Sequence, residues 1–348
     1  MVRFRPSLMR LPRYAPARTL PGGVVPAGSE SPHGLLPKVA ETLPRPAGDV
    51  SRCPDMSATA LLQAIAEHHG VAPERIVVGA GSSEVCGQLL HSVVGPGDEV
   101  VFGWRSFEAY PILTEIAGGT AVRVALREHV LDLDAMAEAI TDRTRLIFVC
   151  NPNNPTSTAV GERALRDFTD RVPEEVLIVV DEAYREYADP ALVPDALELL
   201  GDRPNVVVLR TLSKAYGLAG LRVGYCVAPP EIAAHVCKAQ VPFSVSALAQ
   251  QTAVIALGEH AEVARRAALT VAERERVTLR LRGLGLDVPD SQTNFVWLPL
   301  GAGSGHFAMH CLDGRVVVRP LLGEGVRVTI GLPEENEVLL TLVASWTG

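Results

Sequence analysis

Residues 175–228 read EVLIVVDEAYREYADPALVPDALELLGDRPNVVVLRTLSKAYGLAGLRVGYCVA. Three apolar runs stand in this stretch: EVLIVVD (175–181), NVVVLR (205–210) and RVGYCVA (222–228). Short continuous apolar runs mark strands buried on both faces. The same grammar extends upstream through RIVV (75–78), EVVFG (99–103), TAVRVAL (120–126) and RLIFVC (145–150). Helical patterns lie between most of them, as in SSEVCGQLLHSVV (82–94) and LDLDAMAEAI (131–140). This alternation predicts an α/β architecture, a seven-stranded and mostly parallel sheet with helices on both faces.

The flanks read differently. SATALLQAIAEHHG (57–70) predicts a helix with Ser57 as its N-cap and Gly70 as its stop. The preceding fifty residues are rich in Pro and Gly and read as an irregular arm. Beyond Pro229, a long helical region (230–283) is followed by strands NFVWLPL (294–300), RVVVRP (315–320) and GVRVTIG (325–331) and a closing helix (333–346). These form a smaller α+β unit. The expected division is residues 1–44 as arm and part of the small domain, 45–240 as the large domain, and 241–348 as the small C-terminal domain.

Composition excludes several classes of function. With 348 residues, 47% hydrophobic and 21% charged, the chain can bury a substantial core. A formal charge of −8 without a long basic run argues against nucleic acid or an anionic membrane surface as partner. No uncharged apolar run approaches the roughly 18 residues of a membrane span. The N-terminus carries arginines but no apolar core of signal-peptide length, so the expected location is the cytoplasm. The 6 cysteines are scattered with no CxxC spacing, which predicts small buried residues and no metal site. Lysine is rare: only Lys38, Lys214 and Lys238 stand among the 32 Lys and Arg residues.

Functional groups of an open α/β sheet gather at the carboxyl ends of its strands. After RIVV, Gly79-Ala80-Gly81-Ser82-Ser83-Glu84 opens a helix whose free N–H groups suit a phosphate, although a plain strand-to-helix turn looks the same. Glu84 stands where a dinucleotide fingerprint needs a third glycine. After RLIFVC, Asn151-Pro152-Asn153-Asn154-Pro155-Thr156 is either a structural turn or a source of side-chain donors. Asp181 closes an apolar strand, where a carboxylate needs a cationic partner unless it caps a helix. After NVVVLR come Ser213, Lys214 and, eight residues further on, Arg222.

These groups describe one ligand. Its phosphate meets Ser82, Ser83, Ser213, Arg222 and the backbone after Gly81. Its ring cation pairs with Asp181, its phenolic oxygen is held by Asn154 and Tyr184, and its aldehyde condenses with Lys214. That ligand is pyridoxal 5'-phosphate.

On DEAY (181–184) and SKAYGLAGLRVG (213–224) the chain resembles the fold-type I pyridoxal-phosphate aminotransferases of the histidinol-phosphate aminotransferase branch, over nearly its full length. FGWRSFEAYPI (102–112) and FVCNPNNPTST (148–158) look most like the bacterial aromatic amino acid aminotransferases of that branch. The resemblance implies that Phe107 stacks on the cofactor and that Arg327 forks onto the substrate α-carboxylate. It implies that the segment Ser29–Gly34, with Glu30 and His33, folds over the substrate, and that Arg319 is a second anion contact. Three positions depart from the family pattern: Cys53 replaces a tyrosine that reaches the partner subunit's cofactor phosphate, Ser29 an asparagine, and Ser157 a glycine.

The implied function is a homodimeric aminotransferase of amino-acid biosynthesis, with Lys214, Asp181 and Tyr184 in catalysis and small molecules, amino acids and 2-oxo acids, as substrates. The favoured pair is an aromatic L-amino acid with 2-oxoglutarate. Histidinol-phosphate transamination, decarboxylation on the same scaffold, and a non-enzymatic cofactor-binding role are the alternatives.

Overall fold

The computed structural model describes residues 27–43, 51–201 and 203–346 without a break, with isolated positions among residues 2–24. Part of the expected arm, together with residues 44–50, lies outside the described residues. In chain order the main elements are α1 (Pro37–Thr42), α2 (Thr59–His69), β1 (Ile76–Gly79), α3 (Ser82–Val93), β2 (Glu99–Trp104), α4 (Ala109–Ala117) and β3 (Thr120–Ala125). There follow α5 (Leu133–Glu138), β4 (Thr144–Cys150), α6 (Glu162–Arg171), β5 (Leu177–Asp181), β6 (Val206–Thr211) and β7 (Gly224–Val227). The remainder comprises α7 (Pro230–Val236), α8 (Ala247–Leu257), α9 (His260–Gly283), β8 (Phe295–Leu298), α10 (Ser304–Asp313), β9 (Arg319–Leu321), β10 (Gly325–Thr329) and α11 (Pro333–Ser345).

β1 to β7 form one sheet in the order β1-β7-β6-β5-β4-β2-β3. β7 runs antiparallel to both of its neighbours, and the other pairings are parallel. The seven expected strands are all present, within two residues of the expected bounds. Their apolar runs are continuous because both faces are buried. Ile178 and Val180 of β5 join one core with Ile147, Val149, Val206 and Val208, while Leu177 and Val179 join another with Leu146, Phe148, Val207 and Leu209. Burying each such side chain contributes about 1.5–3 kcal/mol. The carboxyl ends of β1, β2, β4, β5 and β6 therefore share one edge of a rigid platform.

Two local features shape that edge. Gly81, just before α3, takes φ +83° and ψ 160°, a conformation open to glycine alone. Gly224 of β7 lies against the backbone of Ser82, and a Cβ there would collide with it. α3 is thereby drawn down onto the sheet with its N-terminus at the shared edge.

The start of α2 differs from expectation. Ser57 is not its cap. Ala58 takes a left-handed φ of 48°, and the Asp55 carboxylate accepts the N–H groups of Ser57 at 2.9 Å and Thr59 at 2.8 Å. A carboxylate has two acceptor oxygens, so it satisfies two orphan donors where a serine hydroxyl satisfies one. Gly70 does end the helix, at φ 64°.

In the C-terminal part, β8, β10 and β9 form an antiparallel sheet in that order, packed with Phe307, Leu339 and Val343. RVVVRP is not one strand: only its last two residues enter β9, while Val316 bridges to Val24 in parallel. The N-terminal chain thus pairs with this unit and competes for the run. The helical region 230–283 is interrupted over 240–246, where Phe243 takes φ 61°. No helix among the described residues is long and apolar enough to cross a membrane.

Candidate active site

A cavity of about 500 Å³ opens at the shared strand edge, between the large sheet and β9–β10. Ser82, Ser83, Phe107, Asn154, Asp181, Tyr184, Ser213, Lys214, Arg222, Arg319 and Arg327 all line it. Eleven of the fourteen residues expected at the site therefore converge, from segments spread over 246 positions of chain.

One end of the cavity gathers a guanidinium, hydroxyls and free backbone N–H groups. The first N–H groups of α3 have no intrahelical acceptor and open onto it. Arg222, in a left-handed conformation at φ 57°, lays its guanidinium against Gly81 and donates to Ser213 Oγ at 3.2 Å. A side chain at Gly81 would displace it. Gly81 does not itself line the cavity; it makes room for the arginine. Thr211, unremarked in the sequence, donates to Ser213 Oγ at 3.0 Å and fixes that hydroxyl.

The middle holds the lysine and the carboxylate. Asp181 is 4% exposed at the end of β5. Burial pushes its carboxyl up to about 6, against hydrogen bonds from Tyr110 and the Ala183 N–H that favour the charge. Lys214 follows β6 and donates from Nζ to the Gly28 carbonyl at 2.9 Å. Burial, with the Arg327 charge next, brings its ammonium down from 10.5 to about 7, while Glu30 and Asp181 oppose the shift. The Tyr184 ring centroid lies 5.6 Å from Nζ. Glu182, next to Asp181, turns to a buried ion pair with Arg210 of β6 at 2.7 Å and so ties the two strand ends together.

The other end carries Arg327. Arg327 of β10 packs over Phe295 at 5.2 Å and donates to Asn154 Oδ1 at 2.6 Å and to the Ala27 carbonyl at 2.8 Å. Its Nε is buried with no partner, a donor still available to a ligand. The neighbouring asparagines are structural. Asn151 exchanges hydrogen bonds with Val160, and Asn153 binds Ser106, Thr156 and the Arg105 carbonyl, so that of the three only Asn154 lines the cavity.

Two expected contacts are placed elsewhere. His33 does not line the cavity: its Nε2 lies 3.2 Å from Thr270 Oγ1 on α9, and its carbonyl accepts from Arg266. Burial and the Arg266 charge lower its pKa, which favours the neutral ring. Glu30 is exposed and reaches the site only through its field on Lys214. Arg319 does line the cavity but is paired with Glu108 at 2.9 Å, so it is no unpaired anion contact. The departures from the family pattern have structural meaning. Ser157 takes φ 65° and Ser29 φ 53°, conformations that favour the glycine and asparagine usual there. Cys53 is exposed.

The sequence reading missed the wall between these ends. Ile112 and Leu113 of α4, with Leu321 of β9, line it beside Phe107. Ile112 ends the quoted stretch FGWRSFEAYPI without a role, and Leu113 and Leu321 lie outside every motif and strand named from the sequence. The residues present fit pyridoxal phosphate: an anion cradle whose arginine a Cβ at Gly81 would displace, a buried carboxylate, a lysine brought down to about 7, and an arginine with an orphaned donor.

Comparison with known proteins bears on this arrangement. An aromatic amino acid aminotransferase of Mycobacterium avium (strain 104) is 51% identical over 346 residues, covering 99% of this chain and 98% of that protein. One of Thermobifida fusca (strain YX) is 49% identical over 347 residues, covering 99% and 97%. The crystal structure of histidinol-phosphate aminotransferase from Sinorhizobium meliloti in complex with pyridoxal-5'-phosphate superposes with a TM-score of 0.90 at 28% identity, over 99% of this chain and 98% of that one. The family model for class I and II aminotransferases matches residues 26–342, and the chain belongs to that family.

Proposed function

We propose that this protein is a pyridoxal-phosphate-dependent aminotransferase that moves the amino group between an aromatic L-amino acid and 2-oxoglutarate. The observation that carries the reading is the convergence of Lys214, Asp181 and Arg327 on a cavity whose intervening wall is Phe107, Ile112, Leu113 and Leu321. An apolar wall of this kind takes an aryl side chain. The aromatic amino acid aminotransferase relatives support the same substrate class.

The cofactor supplies an aldehyde for the amino group and a ring that accepts the electron pair left on the substrate α-carbon. The chain's own residues do the rest. α3, Ser213 and Arg222 hold the phosphate. Asp181, as carboxylate, holds a proton at the ring nitrogen. Arg327 binds the substrate carboxylate and thereby presents the α-hydrogen to Lys214. The Nζ of Lys214, brought down to about 7 and so partly neutral at that pH, takes that proton as general base and returns it as general acid. Tyr184 and Asn154, which line the same cavity, would hold the ring oxygen.

We further propose a homodimer in the cytoplasm, with residues 45–240 as the large domain and the two chain ends forming the small one. The exposed apolar side chains Met56, Val241 and Phe243 support an apolar subunit contact. Six free cysteines support a reducing compartment.

The test is absorbance of purified protein with pyridoxal phosphate, before and after L-phenylalanine. The expected result is a visible band that bleaches on addition of the amino acid and returns with 2-oxoglutarate. A band that ignores phenylalanine and bleaches with histidinol phosphate would overturn the substrate assignment.

The pH dependence of cofactor capture has a definite sign. Only the neutral amine attacks the aldehyde, and the folded-state value of Lys214 is about 7. The rate of band formation is expected to rise with pH through that value and to fall about tenfold per unit below it. A rise only near pH 10, as for an ordinary lysine, would contradict the depressed value.

A further inference from the structure

Asp181 has a partner that the strand-end pattern does not reveal. Tyr110, in the first turn of α4, is fully buried, and its hydroxyl donates to Asp181 Oδ2 at 2.6 Å. The ring is fixed on several sides. It stacks on Phe148 of β4 with centroids 4.2 Å apart and planes 3° apart, and Phe107 meets it edge-on at 5.5 Å. A side chain already immobilised by packing loses little further entropy in presenting its hydroxyl. The other carboxylate oxygen, Oδ1, accepts the Ala183 N–H at 3.2 Å.

We propose that Tyr110 is a positioning residue for transamination: its hydroxyl aims the Asp181 carboxylate and favours its ionised form, so that the shared proton stays on the cofactor's ring nitrogen. This rests on the reading of Asp181 as the ring-nitrogen partner. Burial acts on Asp181 in the opposite direction, toward the neutral acid. The other titratable groups facing it are Cys86 of α3, Cys150 of β4, Glu182 and Tyr184 beyond β5, and Lys214 after β6. Burial holds both thiols and the Tyr184 phenol neutral, and Glu182 is engaged by Arg210. Among the described residues, Tyr110 supplies the side-chain hydrogen bond to Asp181, and the only other donor to it is a backbone N–H.

Tyr110→Phe keeps the ring and its stacking and removes one oxygen. In the holoenzyme, the pH midpoint of the absorbance change of the Lys214-bound cofactor is expected to move up by about one unit. A ring that gives up its proton more easily withdraws fewer electrons from the lysine nitrogen, which becomes more basic. kcat is expected to fall about tenfold, the loss of one hydrogen bond to a charged group, with KM for phenylalanine unchanged. Thermal unfolding is measured in parallel to register any packing change. An unmoved midpoint overturns the proposal, even if activity falls, because a merely structural tyrosine would leave the spectrum's pH dependence alone. If the wild-type protein forms no lysine-dependent band, the parent reading fails; a normal wild-type band with an unmoved midpoint in the variant sinks this inference alone.

Discussion

Replacing Lys214 with alanine is expected to abolish the visible band formed with pyridoxal phosphate and to lower transamination by at least roughly 10²–10⁴, the share of a positioned general base alone. Lys214 is the one lysine lining the cavity. Lys38 and Lys238 are exposed and do not line it. Their alanine variants serve as controls and should retain both band and activity. The phosphate cradle of α3, Ser213 and Arg222 is untouched by the substitution, so the variant should still bind the cofactor reversibly, without the lysine-linked absorbance. The measurement is a spectral titration of the three variants alongside wild type, followed by turnover. A band that survives in Lys214→Ala and disappears in Lys38→Ala or Lys238→Ala would overturn the assignment.

Arg327→Ala should be the second most damaging change, and in a different way. The guanidinium sits between Phe295, Asn154 and Ala27 with one buried donor still unpaired, which is the geometry of a fork waiting for a carboxylate. Losing one partner of a desolvated charge pair costs about 2–5 kcal/mol, so kcat/KM for phenylalanine should fall by roughly 30- to 5,000-fold. The cofactor band should remain, because Lys214 and Asp181 are intact. Arg327→Lys keeps the charge but not the fork and should recover only part of the loss. Removing the Arg327 charge also removes a cause of the low Lys214 value, so the pH dependence of band formation should shift upward in the alanine variant. Unchanged kcat/KM in Arg327→Ala would place the substrate carboxylate elsewhere.

The two substitutions separate what was legible in the chain from what was not. Asp181 could be read because a carboxylate closes an apolar strand, where a charge is costly without a purpose, and Lys214 because one of only three lysines stands in the loop after β6. The sheet was legible as well, since strands buried on both faces have no alternating polar residues to blur them. Tyr110 was not legible: in AYPIL it looks like any core aromatic at helical spacing, and its acceptor lies 71 residues away. Ile112, Leu113 and Leu321 face the cavity with side chains that serve equally well in a core. His33 went astray in the opposite sense. The residues that reach the cavity are Ala27 and Gly28, just before the expected segment 29–34: Gly28 accepts from Lys214 and Ala27 from Arg327. The register within that segment, which turns His33 toward Thr270, depends on packing against α9 that no local pattern encodes.

The contact between Arg327 and Ala27 joins residues separated by 300 positions of chain. At a synthesis rate of about 5–20 residues per second, Ala27 waits roughly 15–60 seconds on the ribosome before its partner is made. The large sheet, complete by Val227, has its sequence in hand well before then. The anion cradle and Lys214 can thus be assembled on a nascent chain while the cover of the site has nothing to rest on. In order of synthesis the platform and Lys214 come first, and β10, which brings Arg327 to the site, comes after them.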